Sequence, residues 1–182
     1  KQFYERYPID VERAAAVADV LQSRKVTLPN GDPLTVERFQ CLGSDFGMKP
    51  SFERVHWILD QAFLDGDGSA STSAELSDEF LSSVMDATSS RPLYWPLQEF
   101  IYANGEPMFP WMFEQERALR PFKPAMDVLM EDTHFGTIYD ADQLARNEVP
   151  LQAAVYFDDM YVDSGLQFDT LSRVGRSHYW TT

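Results

Sequence analysis

Two adjacent carboxylates, Asp158 and Asp159, follow an apolar run near the end of the sequence. The run covers residues 151–157 and Pro150 precedes it, a pattern that is typical of a strand buried inside a sheet. In α/β proteins, active-site residues lie just beyond the carboxyl ends of such strands. Because side chains alternate along a strand, only one of the two aspartates can serve a given site. The alternative to a functional carboxylate is a turn or a helix cap that ends the strand.

Other residues of the kinds found in hydrolytic and metal sites lack the spacing that this chemistry needs. No Gly-x-Ser-x-Gly elbow occurs, so the sequence supplies no recognisable serine nucleophile. Cys41 is the single cysteine, which excludes an intrachain disulfide and a thiolate metal cluster. The three histidines are far apart and not spaced as metal ligands: His56, His134 and His178. His56 lies beside the apolar face of a predicted helix and is interpreted as a hydrogen-bonded structural residue. We therefore expect no metal site and no cofactor.

The composition indicates a folded, acidic protein. Hydrophobic residues make up 44% of the chain, which is enough to form a core, and the formal net charge is −14. Such a surface repels phosphate backbones and anionic lipids, so we expect no nucleic-acid partner and no membrane association. No apolar run approaches the ~18 residues that cross a bilayer, and no signal-peptide pattern is present. A cytoplasmic location is expected.

Upstream of the strand, the spacing of apolar residues predicts mainly helices. The dipeptide Asn30-Gly31 predicts a short hairpin, and Thr35 is placed to cap the helix that follows it. Residues 107–122 are unusually rich in aromatic side chains and prolines, which favours short helical pieces. The predicted helices cover residues 8–24, 35–42, 50–64, 76–85, 94–102, 111–118, 122–131 and 141–146.

The segment 151–157 is the only convincing long strand in the sequence. A strand without partners leaves its backbone N–H and C=O groups unpaired, at about 1–3 kcal/mol for each group. Because the sequence offers hardly any partner for this strand, we expect the chain to be an incomplete part of a larger fold. The alternative is self-association, since open strand edges and apolar patches attract other copies of a chain.

The strand and its flanks resemble a known family. Residues 147–163 read Asn-Glu-Val-Pro-Leu-Gln-Ala-Ala-Val-Tyr-Phe-Asp-Asp-Met-Tyr-Val-Asp. They resemble the segment that carries the catalytic aspartate in large bacterial prolyl aminopeptidases of the α/β-hydrolase superfamily. The resemblance covers essentially the whole chain, and its other quoted parts are residues 34–36, 45–48, 52–57 and 110–114.

The resemblance implies a fold in which a helical lid is inserted between core strands, with a triad in the order serine, acid, histidine. It identifies the chain as a fragment of an α/β-hydrolase. Residues 1–120 would form the mostly helical lid (cap) domain, and residues 121–182 an incomplete return into the core with one buried strand near 151–157. The serine elbow would precede residue 1 and the histidine would follow residue 182. We therefore expect the fragment alone to be inactive.

The resemblance also assigns site residues. Asp159 matches the triad acid best, and Asp158 is the alternative register. Its role would be to hold the imidazole in the correct tautomer and to stabilise the imidazolium. In the lid, Glu106, Phe109, Trp111 and Phe113 resemble the segment that recognises the substrate amine, because a carboxylate pairs with an amine and aromatic rings hold the proline ring. The alternative is an aromatic lid core with a surface glutamate.

The expected activity of the parent protein is that of a serine peptidase that releases an amino-terminal residue, preferably proline, from short peptides. Two alternatives stay open. The parent could be another lidded α/β-hydrolase, such as an esterase or amidase, in which the lid has changed. It could also be a non-enzymatic helical binding module.

Overall fold

The computed structural model describes residues 2–48, 51–64, 75–102, 109–131, 139–157, 159 and 161–182. Within these ranges the chain is mostly helical with two small sheets, which is consistent with a fragment of an α/β-hydrolase. It divides into two compact units, Lys1–His134 and Phe135–Thr182. The change from lid to core at residues 120–121 stays a prediction. None of the helices in the described ranges has the length and apolarity that crossing a membrane requires.

The first unit is built from helices and one short hairpin. The hairpin strands are β1 (Val26–Thr27) and β2 (Pro33–Leu34), and 3-10 turns cover Cys41–Gly47 and Arg120–Phe122. Its helices are α1 (Gln2–Arg6), α2 (Asp10–Ser23), α3 (Val36–Gln40), α4 (Ser51–Asp60), α5 (Asp78–Ser89), α6 (Tyr94–Tyr102), α7 (Met112–Gln115) and α8 (Lys123–Glu131). These elements confirm most of the predicted helices, with ends that differ by a few residues.

Local side-chain chemistry places the ends of several elements. Gly31 has a φ of 83°, a left-handed conformation that glycine adopts without a steric cost, and it turns the chain from β1 to β2. The Thr35 hydroxyl accepts a hydrogen bond from the Arg38 N–H at 3.3 Å, which confirms the predicted cap of α3. Ser77 caps α5 in the same way, accepting from the Phe80 N–H at 3.0 Å.

Two apolar cores stabilise the first unit. Phe80 and Val84 of α5 are fully buried in the larger core, and each such side chain contributes about 1.5–3 kcal/mol relative to exposure. The smaller core forms around α7 and α8. The larger core contains Phe3, Val17, Leu21, Leu28, Leu34, Phe39, Leu42, Val55, Ile58, Leu59, Ala62, Phe80 and Val84. The smaller one contains Met112, Phe113, Leu119 and Met126.

The second unit is a β-α-β arrangement. Its elements are α9 (Ala141–Ala145), β3 (Leu151–Val155), α10 (Ser164–Arg173) and β4 (Ser177–Thr181). Strands β3 and β4 pair in parallel, with Leu151 opposite Ser177 and Val155 opposite Thr181. A parallel pair needs a crossover connection, and α10 provides it. The side-chain carboxylate of Asp163 caps α10 by accepting from the Leu166 N–H at 3.0 Å.

The structure corrects two expectations about the predicted strand. The strand is not without a partner, because β4 pairs with all five of its residues. It also ends at Val155 rather than at residue 157, and only Val155 is fully buried, whereas Leu151 and Gln152 are exposed. Among the described residues, α10 is the one helix that lies between β3 and β4 in the chain. A single helix cannot cover both faces of the β3–β4 sheet.

Candidate functional site

Asp159 lies four residues beyond the end of β3, in the connection to α10. Its carboxylate Oδ1 accepts hydrogen bonds from the backbone N–H of Tyr161 at 2.8 Å and of Val162 at 3.1 Å. Oδ1 accepts both hydrogen bonds that described residues donate to this carboxylate. The turn therefore orients the carboxylate through one oxygen. The carboxylate is half-buried. The structure thus shows a turn after the strand in which the bonds from described residues go to Oδ1, and the role of Asp159 in a site stays a prediction.

The other predicted site residues fall partly outside the described ranges. Asp158 and Glu106 lie outside them. Phe113 is 3% exposed and packs in the smaller core, whereas Phe109 and Trp111 are half-buried against it. The Phe109 ring meets the Trp95 ring edge-on, with centroids 5.1 Å apart. The structure therefore brings the three aromatic residues together around one core, and their contact with a substrate stays a prediction.

A buried ion cluster in the first unit was not predicted from the sequence. Arg38 is completely buried, and its guanidinium donates from Nη1 to Asp32 Oδ2 at 3.2 Å. It also donates from Nε to the Thr88 hydroxyl at 3.1 Å and from Nη2 to the Ser89 hydroxyl at 2.7 Å. Glu116 Oε1 lies 3.9 Å from Arg38 Nε, which is close enough for an ion pair but too long for a hydrogen bond. One cation therefore faces two buried carboxylates.

This environment changes the proton affinity of two groups. Burial raises the pKa of the Glu116 carboxyl from 4.5 to about 7, while Arg38 opposes the increase and Asp32 adds to it. Glu116 Oε1 has no hydrogen-bond partner among the described residues, which agrees with a carboxylate that is poorly solvated when ionised. Burial likewise raises the pKa of the Cys41 thiol to about 11, so this cysteine is a protonated, unreactive thiol at neutral pH.

Two of the three histidines, His56 and His178, lie within the described ranges. His56 Nδ1 lies 2.8 Å from Asp10 Oδ2, and its ring stacks on Tyr7 with centroids 4.1 Å apart. This confirms the interpretation of His56 as a hydrogen-bonded structural residue. His178 lies in β4 opposite Gln152, and His134 lies outside the described ranges. No group of three or more metal-ligand side chains occurs in the part of the chain that the structure describes.

The sequence contained only weak signals for the ion cluster. Asp32 belongs to a turn, where aspartate is common, and Arg38 lies in a short helix next to the charged residue Glu37. Glu116 follows the aromatic segment and is flanked by other charged and amide residues. Only the fold shows that these three side chains are buried and meet.

No protein-family model matches the chain. Two curated proteins are similar to it over nearly all of its length. The chain is 34% identical to a proline iminopeptidase of Aeromonas sobria over 213 aligned positions, which cover all of this chain and 48% of that protein. It is 30% identical to the proline iminopeptidase aneH of Aspergillus aculeatus over 202 positions, which cover 94% of this chain and 44% of that protein. The chain thus spans about half the length of the curated relatives it matches.

Proposed function

The chain is related to the prolyl aminopeptidase family, and from that premise we propose that it is the lid and the acid-bearing segment of a serine exopeptidase. The enzyme would release amino-terminal proline from short peptides. The single observation that supports this most is the position of Asp159, an oriented carboxylate just beyond the first strand of a parallel β-α-β unit. Active-site groups of α/β folds lie at this end of their strands.

In the proposed mechanism, Asp159 acts on the catalytic histidine. Its Oδ1 is held by the two backbone N–H groups of the turn, so Oδ2 would accept the imidazole N–H. This hydrogen bond fixes the imidazole tautomer and stabilises the imidazolium that forms when serine attacks the scissile carbonyl. The serine and the histidine would come from parts of the protein beyond this chain. The 182 residues alone would then be inactive.

Substrate recognition is proposed to belong to the lid. Glu106 would pair with the cationic amine of the amino-terminal proline, and Phe109, Trp111 and Phe113 would hold its ring. The half-buried positions of Phe109 and Trp111, at the edge of the smaller core, support this role. The buried position of Phe113 suits a residue that supports the other two from behind.

Substituting Asp159→Asn in the full-length product of the reading frame that contains this chain tests the proposal. Loss of a triad acid lowers turnover on the order of 10⁴-fold, so we expect a decrease of that size with proline β-naphthylamide. Asp163→Asn is the matched control: it changes a neighbouring carboxylate, and asparagine also caps a helix. Full activity of the Asp159 variant would show that the assignment is wrong, and the same loss in Asp158→Asn alone would move the triad acid to that residue.

The main competing activity is that of another lidded hydrolase. A panel of proline naphthylamide, alanine naphthylamide and an acyl ester separates an aminopeptidase from an esterase or amidase. We expect the highest kcat/KM for the proline substrate, because only this substrate offers both the secondary amine and the ring. A preference for the acyl ester would refute the peptidase proposal while leaving the hydrolase family in place. Cytoplasmic location and self-association stay predictions.

A further inference from the structure

The ion cluster joins the turn of the hairpin to the segment that follows α7, 85 residues later in the chain. Asp32 Oδ1 accepts a hydrogen bond from the backbone N–H of Arg117 at 3.1 Å. The Arg117 side chain reaches the same oxygen, with Nε at 3.9 Å. Asp32 therefore contacts both the backbone and the side chain of a residue that lies just after the aromatic residues 109–113.

We propose that Asp32 is a positioning residue: held by Arg38, it fixes the segment 109–117 in the place where this segment binds the amino-terminal residue of the substrate. The inference rests on the proposed function. Asp32 would not touch the substrate, and it would act through the backbone of Arg117 and through the aromatic residues that precede it.

The segment needs such an anchor because its own helix is short. Helix α7 has only four residues, Met112–Gln115, and isolated helices below about 12 residues are marginal in water. Met112 and Phe113 attach its beginning to the smaller core. Its last backbone bond runs from the Glu116 N–H to the Met112 carbonyl at 3.0 Å, and the next N–H, that of Arg117, attaches the end of the helix to Asp32.

Asp32 is itself held in place by several donors. Arg38 donates to its Oδ2 at 3.2 Å, and the Asn30 side-chain amide donates to the same oxygen at 3.1 Å. The backbone of the turn is equally tight, because the Leu28 N–H donates to the Asp32 carbonyl at 2.8 Å. A carboxylate with both oxygens bonded has one orientation, so it can fix the position of the group that it contacts.

The close approach of the turn to Arg117 is a second observation. A Cβ built on Gly31 would lie 2.7 Å from Arg117 Nη2, so glycine leaves the space that the guanidinium occupies. The turn and the segment after α7 are thus packed against each other at Gly31 as well as at Asp32.

The chemistry of the cluster favours positioning over stabilisation. Buried ion pairs contribute little net stability, and apolar residues of similar volume often stabilise a protein more. Here the buried Arg38 guanidinium faces two carboxylates, the second guanidinium near Asp32 belongs to the exposed Arg117, and Glu116 Oε1 lacks a hydrogen-bond partner among the described residues. Directional bonds hold the contacted backbone at one position, whereas apolar contacts permit small displacements.

The test compares Asp32→Ala with Asp32→Asn in the full-length protein, using proline β-naphthylamide. Asparagine keeps an acceptor for the Arg117 N–H, but its NH2 group cannot accept the bonds that Arg38 and Asn30 donate to Oδ2 of the aspartate, whereas alanine removes all of these contacts. A mutation that weakens binding of the substrate and of the transition state equally raises KM and leaves the turnover number unchanged. We therefore expect KM to rise on the order of tenfold in Asp32→Ala, which corresponds to the loss of about one binding contact. The turnover number should change less than twofold, and KM in Asp32→Asn should lie between the wild-type value and that of Asp32→Ala. A variant that merely unfolds in part lowers the apparent kcat and leaves KM unchanged, so the two parameters separate positioning from stability.

Arg13→Met is the matched control. Arg13 is partly buried, with its side chain 12% exposed, and it forms ion pairs with Asp10 and Asp60 in the same unit. The hydrogen bonds of Asp32 do not include these three residues. We expect Arg13→Met to lower stability with an unchanged KM. An unchanged KM in Asp32→Ala, an equal increase in Arg13→Met, or an Asp32→Asn variant as impaired as Asp32→Ala would each overturn the inference.

Hydrogen exchange distinguishes failure of this inference from failure of the proposed function. If the wild-type protein releases no proline, the proposed function is wrong, and the substrate-binding part of the inference is wrong with it. The exchange of the amides of residues 112–119 then decides whether Asp32 holds the segment at all. Faster exchange in Asp32→Ala than in Asp32→Asn and Arg13→Met supports the anchor, and equal exchange in all three contradicts it.

Discussion

Replacing Glu116 with glutamine removes a buried charge and keeps the shape of the side chain. Glu116 is 2% exposed, its Oε1 has no hydrogen-bond partner among the described residues, and burial raises its pKa from 4.5 to about 7. The charged and titratable groups that face it are Arg38, Asp32 and Cys41. Glutamine is neutral at every pH, so the variant isolates the free energy of ionising this one carboxyl in the folded protein.

The sign of the effect follows from proton binding. Between pH 4.5 and 7 the folded protein holds a proton on Glu116 that the unfolded chain has lost, so the free energy of unfolding falls as the pH rises through this window. A tenfold change in proton affinity corresponds to about 1.4 kcal/mol. The free energy of unfolding of the wild-type protein is therefore lower by up to about 3 kcal/mol above pH 7 because this carboxyl is buried, and it is not lowered below pH 4.5. Relative to the wild type, Glu116→Gln should gain stability by this order of magnitude between pH 4.5 and 8.

Urea unfolding of the chain at several pH values measures this difference. A Trp180→Phe background leaves Trp57, Trp95 and Trp111, which all lie in the first unit, so the fluorescence reports on the unit that contains Glu116. Glu114→Gln is the control, because the Glu114 side chain is 64% exposed and its pair with Lys123 is a surface pair of little energetic value. A Glu116→Gln difference that stays constant from pH 4.5 to 8 would refute the claim that burial perturbs this carboxyl. So would an equal pH dependence in the control.

Two further predictions concern packing and charge. Arg38→Met leaves Glu116 buried without a cation and leaves Asp32 with only the exposed Arg117 guanidinium, whose Nε lies 3.9 Å from Asp32 Oδ1. This should lower the free energy of unfolding by about 3–5 kcal/mol, and adding Glu116→Gln should restore part of it in the same urea assay. Gly175→Ala places a Cβ 2.7 Å from the carbonyl oxygens of Ala145 and Asn147, so it should destabilise the β3–β4 unit by about 1–3 kcal/mol. Hydrogen exchange in β3 and β4 measures this loss, and Gly165→Ala, whose Cβ meets only a side-chain oxygen within 3.0 Å, should show less.

The elements that could be predicted are those whose signals are local. Helices α2, α4 and α5 follow apolar spacing that recurs every three to four residues. The hairpin follows from Asn30-Gly31, and the start of α3 follows from the cap at Thr35. Each of these signals lies within one element, so no knowledge of the rest of the chain was needed.

The second strand of the parallel pair was missed for a physical reason. β4 reads Ser-His-Tyr-Trp-Thr, a mixture of polar and aromatic residues that lacks the continuous apolar run of a strand buried on both faces. Tyr179 and Trp180 are more than half exposed, which explains why the pattern is weak. What makes this segment a strand is its pairing with β3 across α10, a contact between residues 26 positions apart.

The candidate site also has a part that the sequence predicted and a part that only the structure shows. The pair Asp158 and Asp159 could be selected from the sequence, because carboxylates that follow an apolar run have a known place at the end of a strand. The preference for Asp159 came from the resemblance to prolyl aminopeptidases. The sequence alone also identified the relation of the chain to prolyl aminopeptidases, because that relation is recognised by comparing residues and needs no structure. Which oxygen of Asp159 the turn holds depends on backbone geometry that no spacing rule gives.

Only the tertiary structure decided that Asp32, Arg38 and Glu116 form one buried cluster. Asp32 and Arg38 lie near the start of the chain and Glu116 about 80 positions later, and each is a polar residue that solvent ordinarily surrounds. Periodicity and turn chemistry act over a few residues, so the sequence determined the helices and the hairpin. Burial of charge depends on which distant segments pack together, and the fold alone sets this.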